Sequence, residues 1–214
     1  MSVTSTSAPP SSATWRSLCA LLRGDTQEVE PCHALAEAAV LAEVECLALE
    51  ALPALSPWLD GSTQRRGELA ALVGFAEDRV KALMKSADIE RWVALKGSAS
   101  AYLIYDAAHH RARRDVDVLV HADDMAQLRA AAEQAGWEDR THATHLAGTS
   151  DAPFEREFFI TIGAHRVGCD VHERLVRWRE FPIASAELIA RAQTLESGWR
   201  VCDPIDLLLH TALH

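Results

Sequence analysis

Asp115-Val116-Asp117-Val118-Leu119-Val120 is the stretch on which the fold turns. It opens in strict polar–apolar alternation and finishes apolar, the pattern of a strand that starts at an accessible end of a sheet and runs into a core. Side chains two apart on a strand share a face, so Asp115 and Asp117 stand side by side at roughly 6–7 Å along the backbone. Upstream, Trp92-Val93-Ala94-Leu95 is a short apolar run ended by Lys96-Gly97-Ser98, and small residues follow from Ala99 to Tyr105. This reads as strand, tight turn and helix. Downstream, Asp123 caps a helix with Met125, Leu128, Ala131, Ala132 and Ala135 on its buried side, stopped at Gly136. Glu157 to Ile162 and Arg166 to Val171 are strand-like, and Gly163-Ala164-His165 between them has the length of a hairpin loop. A mixed sheet of at least four strands follows from these segments.

Before Arg91 the pattern is helical. Leu35, Ala38, Ala39, Ala42, Val44, Leu47 and Leu49 recur at helical spacing, and Pro53 and Pro57 are expected to break the helices there. Ser62 or Thr63 then reads as the N-cap of a helix whose apolar face carries Leu69, Leu72, Val73, Ala76, Val80, Leu83 and Met84. Near the other end, Asp203-Pro204 reads as a cap followed by proline at the first helical position, with Asp206 three residues after the cap. The pattern is still running at His214, so this helix is expected to be short or cut. The expected organisation is a disordered tail over 1–14, a helical region over 15–90, a catalytic core over 91–183 and a helical segment over 184–214.

The chain has 214 residues, 49% hydrophobic and 24% charged, with 31 acidic against 21 basic side chains and a formal charge of −10. A length of this order buries enough surface for a core without disulfide or structural metal. The acidic balance disfavours a protein that coats nucleic acid or an anionic membrane through its global field. Cys19, Cys32, Cys46, Cys169 and Cys202 form no close pair, as expected of reduced thiols in a cytoplasmic protein. No run of eighteen apolar residues occurs, and residues 1–14 lack the basic and apolar regions of a secretory leader.

Two carboxylates held side by side repel, and a hard divalent cation offsets them, since Mg²⁺ takes oxygen ligands from carboxylates, phosphates and water. A lone pair of this kind is more often two solvated aspartates. Asp170 changes the balance: if its strand neighbours the first, a third carboxylate reaches the same face, and three can hold two ions for in-line phosphoryl displacement. Lys96-Gly97-Ser98 lies where a strand gives way to a helix, a place whose free N–H groups and dipole favour phosphate. It is not a Walker A loop, and alone it would be read as a turn. The basic run His109 to Arg114 can grip phosphates, or serve as a solvated loop that partly neutralises Asp106, Asp115 and Asp117. His142 and His145 could face one way, yet no further ligand follows at zinc spacing.

Taken in order, Leu95-Lys96-Gly97-Ser98, Arg111 four residues ahead of Asp115-Val116-Asp117, and Cys169-Asp170-Val171-His172 resemble the nucleotidyltransferase superfamily of polymerase-β type. More narrowly, they resemble a branch of largely uncharacterised bacterial nucleotidyltransferases with LKG, RxxxDxD and DxH motifs, and the segment from Asp203-Pro204 to His214 resembles a later helix of that branch. The resemblance implies an α/β (α+β) fold: a polymerase-β-like mixed sheet with flanking helices, here preceded by a helical region. It implies Asp115, Asp117 and Asp170 as catalytic and metal-ligating carboxylates for two Mg²⁺ ions, with Mn²⁺ as a substitute. It implies Lys96, Gly97, Ser98 and Arg111 at the phosphates of an NTP, ATP first among them. The reaction implied is transfer of a nucleoside monophosphate to a hydroxyl acceptor, which the motifs do not identify, with pyrophosphate leaving. His172 matches the branch without an assigned role, and Ala112 stands where relatives carry proline after the arginine. Relatives carry further helices beyond the position of His214, so an incomplete last helix is expected to leave apolar surface for a partner protein or a second copy. Two other readings stay open: a non-catalytic, antitoxin-like module that senses nucleotide or binds a partner, and a metal-dependent phosphohydrolase.

Overall fold

The alternating segments do assemble into one sheet. The computed structural model describes residues 9–140, 155–175 and 183–213. Among them the strands are β1 (Trp92–Ala94), β2 (Asp115–Val120), β3 (Glu138–Asp139), β4 (Glu155–Ile162), β5 (His165–His172), β6 (Gln193–Thr194) and β7 (Arg200–Val201). They form a seven-stranded mixed sheet in the order β3-β4-β5-β2-β1-β7-β6. β2 lies at its centre, parallel to β5 and antiparallel to β1. β4 and β5 form the hairpin, with a two-residue turn rather than three: Ile162 pairs with His165, and Gly163 adopts φ +59°, which glycine reaches without steric cost.

The chain divides into two units, Met1–Glu68 and Leu69–His214. In the first, α1 (Ser12–Leu22), α2 (His33–Leu41), α3 (Glu45–Ala51) and the start of α4 (Ser56–Ser86) bury Leu18, Leu21, Leu35, Ala38, Ala48, Leu55 and Leu59. Ser11 caps α1 by accepting the Thr14 N–H. Arg66 donates to Glu45 at 2.9 Å, pairing a carboxylate that is 3% exposed.

α4 corrects the expected break. Pro57 does not end a helix; it is the second residue of one, where its missing N–H has no intrahelical partner to lose. Ser62 and Thr63 are interior, and their hydroxyls donate back to the carbonyl of Leu59 instead of capping.

In the second unit, Val73, Val80, Leu83 and Met84 of α4 join the core beneath the sheet with Val116, Val118, Phe158, Ile160, Val167, Cys169 and Val171. α5 (Lys96–Leu103) begins three residues before the expected Ala99, so Lys96-Gly97-Ser98 is a helical first turn rather than a loop. Trp199 lies beside it, 1% exposed, edge-on to Trp92 at 5.2 Å and donating its Nε1 hydrogen to the Ser98 carbonyl at 3.2 Å. α6 (Met125–Gln134) follows a 3₁₀ turn capped by His121, not by Asp123. Asp123 and Asp124 pair with Arg91 instead. α7 (Ser185–Arg191) and α8 (Pro204–Leu213) are tied by Arg191, which donates two hydrogen bonds to Asp206 at 2.8 and 3.0 Å. Asp203 caps α8 as expected, accepting from the Ile205 N–H at 2.9 Å. Among the described residues, no helix is long and apolar enough to cross a membrane.

Candidate active site

The parallel pairing of β2 with β5 sets the site. Asp117 is the register partner of Asp170, and Asp115 that of Gly168. Side chains in register on adjacent strands project to the same side. Val116, Val118, Cys169 and Val171 therefore go into the core, while Asp115, Asp117, Asp170 and His172 share the other face. β4 extends that face, because its register places Glu155 opposite His172 and Glu157 opposite Asp170.

The carboxylates differ in environment. Asp117 is 3% exposed and yet held below the ordinary aspartate range. Burial pushes it up, but a hydrogen bond from His172 and the Lys96 ammonium outweigh that. Lys96 Nζ lies 2.7 Å from Asp117 Oδ1, and His172 Nε2 donates to the same oxygen at 3.3 Å. Asp115 is raised, first by burial and then by Asp117. Asp170 is pushed up to about 7 by burial, then Glu155, Asp117 and Asp115. Glu155 acts on Asp170 more strongly than either β2 aspartate, and its Oε2 lies 3.8 Å from His172 Nδ1. Nothing in the sequence marked Glu155, because its place in the site depends on a strand register that alternation alone does not specify.

Beside the carboxylates, α5 presents its first turn. The first intrahelical bond is from Ala99 N–H to the Leu95 carbonyl, which leaves the N–H groups of Lys96, Gly97 and Ser98 without helical partners. Lys96 sits at φ +44°, a left-handed conformation that costs a non-glycine residue about 1–2 kcal/mol. The Ser98 side chain, expected to face a phosphate, is fully enclosed. Its hydroxyl accepts the Asp117 N–H at 3.3 Å, so it fastens α5 to β2, and what the turn offers outward is backbone. Gly97 packs against the same loop: a Cβ there would stand 3.4 Å from the Cβ of Arg113, in van der Waals contact, which leaves room for a methyl but not for a branched side chain.

The basic run has two fates. Arg111 is half-buried and donates to the carbonyl of its neighbour Ala112 at 2.8 Å. Arg113, which belongs to the run His109 to Arg114 expected to grip phosphates or to be a solvated loop, is instead buried and braces the loop. It donates to Glu77 Oε2 at 3.0 Å and to the Ala108 carbonyl at 2.6 Å. Tyr102 donates to the same Glu77 oxygen at 2.6 Å and lies under the guanidinium at 5.6 Å. Burial raises Glu77 despite Arg113 and Tyr102, and Tyr102 is raised by its own burial and by Glu77. This triad joins α4, α5 and the approach to β2. A glutamate on a helix reads as a solvated residue, so its sequence carried no signal. His142 and His145 lie outside the described residues.

The family model described as an uncharacterised nucleotidyltransferase matches residues 35–214. The chain belongs to this family. The match spans all the carboxylates above, the first turn of α5 and the buried triad. No curated protein and no solved structure matches the chain. Membership in a nucleotidyltransferase family agrees with the mixed sheet, flanking helices and preceding helical region described above.

Proposed function

We propose that this chain is a Mg²⁺-dependent nucleotidyltransferase that moves a nucleoside monophosphate from an NTP, ATP first among them, to a hydroxyl acceptor and releases pyrophosphate. One observation carries the reading: Asp117 and Asp170 are register partners on adjacent parallel strands, with Asp115 on the same face. The donor set fits a hard divalent ion, because it consists of carboxylate oxygens gathered on one face, with Asp115 and Asp170 raised by burial and then by their acidic neighbours. Asp115, Asp117 and Asp170 would hold the metal. Bound there, two ions supply charge neutralisation on the phosphates and acidify the attacking hydroxyl.

The protein's own groups then divide the work. The N–H groups of Lys96, Gly97 and Ser98 and the positive end of α5 hold phosphate oxygens, helped by the Lys96 ammonium. Arg111 offers a further cation from the loop that Arg113 and Glu77 keep in shape. Asp170 and Glu155 lie on the same face on the β5 and β4 side of Asp117, where the acceptor hydroxyl would be oriented and lose its proton. His172 fixes the rotamer of Asp117.

The test is to incubate the protein with α-labelled NTPs, Mg²⁺ and a cell extract as source of acceptors. The expected result is pyrophosphate release with label passing to an extract component, both lost in a folded Asp117→Asn variant. Release of inorganic phosphate with no label transferred would point to a phosphohydrolase instead.

A further inference from the structure

Among the described residues, Lys96 is a cation set among the carboxylates of the site. Its ammonium contacts Asp117 and lies within electrostatic reach of Glu155 and Asp170. Its backbone belongs to the first turn of α5, whose free N–H groups are the place for phosphate. The side chain is thus rooted at the phosphate position and headed at the metal position.

We propose that Lys96 is a transferable counter-ion: it competes with metal for the carboxylates and passes to the triphosphate when a metal–nucleotide complex binds, so that metal uptake is coupled to nucleotide. This rests on the reading of the site given under Proposed function and adds to it an order of binding.

Three observations support it. First, the contact is 2.7 Å to Asp117 Oδ1, on a carboxylate that would ligate the ion, and a divalent ion at this cluster repels the ammonium there. Second, Lys96 keeps a left-handed backbone, φ +44°, although glycine follows immediately at 97; strain of this kind persists where surrounding structure enforces it, and it gathers at functional sites. Third, the residue is lysine in a chain with eighteen arginines and three lysines. A guanidinium is held as a rigid fork, as Arg113 is by Glu77 and the Ala108 carbonyl, whereas an ammonium on four methylenes is a point charge that changes partners readily. The groups facing the ammonium are Asp117, Asp170 and Glu155, with His172 on the same Asp117 oxygen.

The experiment is a Mn²⁺ titration, read by electron paramagnetic resonance, of the whole chain and of Lys96→Met. It is run without nucleotide and again with a non-hydrolysable NTP analogue; circular dichroism checks the fold, and Lys96→Gln serves if the methionine variant does not fold. Removing a unit charge a few ångströms from a divalent site strengthens binding of Mn²⁺ alone by about tenfold or more. The same substitution weakens binding of the Mn²⁺–nucleotide complex by a comparable factor. Lys96→Arg, which keeps the charge, restores weak binding of Mn²⁺ alone. Unchanged or weaker binding of Mn²⁺ alone in Lys96→Met overturns the competition. Tighter metal binding with undiminished nucleotide binding overturns the transfer to phosphate. Wild type and variants that bind neither metal nor nucleotide overturn the reading of the site itself, and this inference with it.

Discussion

Replacing Arg113 by methionine removes the cation from the buried triad and leaves Glu77, 1% exposed, with the Tyr102 hydroxyl as its remaining partner in that triad. Breaking a buried pair from one side costs about 3–5 kcal/mol, because a charge stays behind without its counter-ion. The lost bond to the Ala108 carbonyl adds about 1 kcal/mol. Glu77 can escape part of this by taking up a proton. Its carboxyl is already raised by burial, and Arg113 is the largest influence holding it down, so the variant raises it further. A folded-state value above the unfolded one contributes stability that is complete below the ordinary glutamate range and lost as pH climbs through the raised value. The slope there is about 1.4 kcal/mol per pH unit. The expected loss in Arg113→Met is therefore about 4 kcal/mol at pH 8 and about 2 kcal/mol at pH 5. Urea unfolding followed by near-ultraviolet circular dichroism measures it, since Tyr102 and Trp199 lie 6.3 Å apart beside the triad. Adding Glu77→Gln should recover more than half of the loss at pH 8. A loss below about 1 kcal/mol, or one equal at both pH values, would refute the reasoning.

Three further outcomes follow from the site. Asp170, raised to about 7, must lose its proton to ligate a cation. Mg²⁺ affinity should climb between pH 6 and pH 8 by about tenfold and then level, with proton release visible when calorimetry is repeated in buffers of different ionisation enthalpy. In the apoprotein the same shift works the other way: the stability it contributes is present below the ordinary aspartate value and lost as pH rises through about 7. Gly97→Ala meets the Arg113 Cβ at 3.4 Å and should cost under about 1 kcal/mol, whereas Gly97→Val overpacks the turn and should cost about 2–3 kcal/mol, read by thermal unfolding. Tyr102→Phe removes one donor from Glu77 and should cost about 1–2 kcal/mol by urea unfolding while leaving the fold intact.

Much of the framework is legible in the residues themselves. Alternation in β2, β4 and β5 separates the faces, and the i, i+2 spacing puts Asp115 and Asp117 together whatever the rest of the chain does. That β2 and β5 are neighbours is the one condition for gathering Asp170, and the sheet meets it. What escaped reading depends on distant partners. Pro57 looked like a breaker because position within a helix, not proline itself, decides its effect. Glu155 enters the site only through the register of β4. Arg113 and Arg111 are indistinguishable in a run of basic residues until Glu77, 36 positions away, selects one of them. Ser98 has the chemistry of a phosphate ligand, but the Asp117 N–H claims its hydroxyl.

The central claim is that nucleotide and metal meet at the carboxylates of β2 and β5. Calorimetric titration of the protein with each of the four NTPs, in Mg²⁺ and in EDTA, repeated on Asp115→Asn/Asp117→Asn, tests it most directly. The account predicts binding that requires Mg²⁺ and disappears in the folded double variant. A folded wild type that binds no NTP, or a double variant that binds as tightly as wild type, would contradict it.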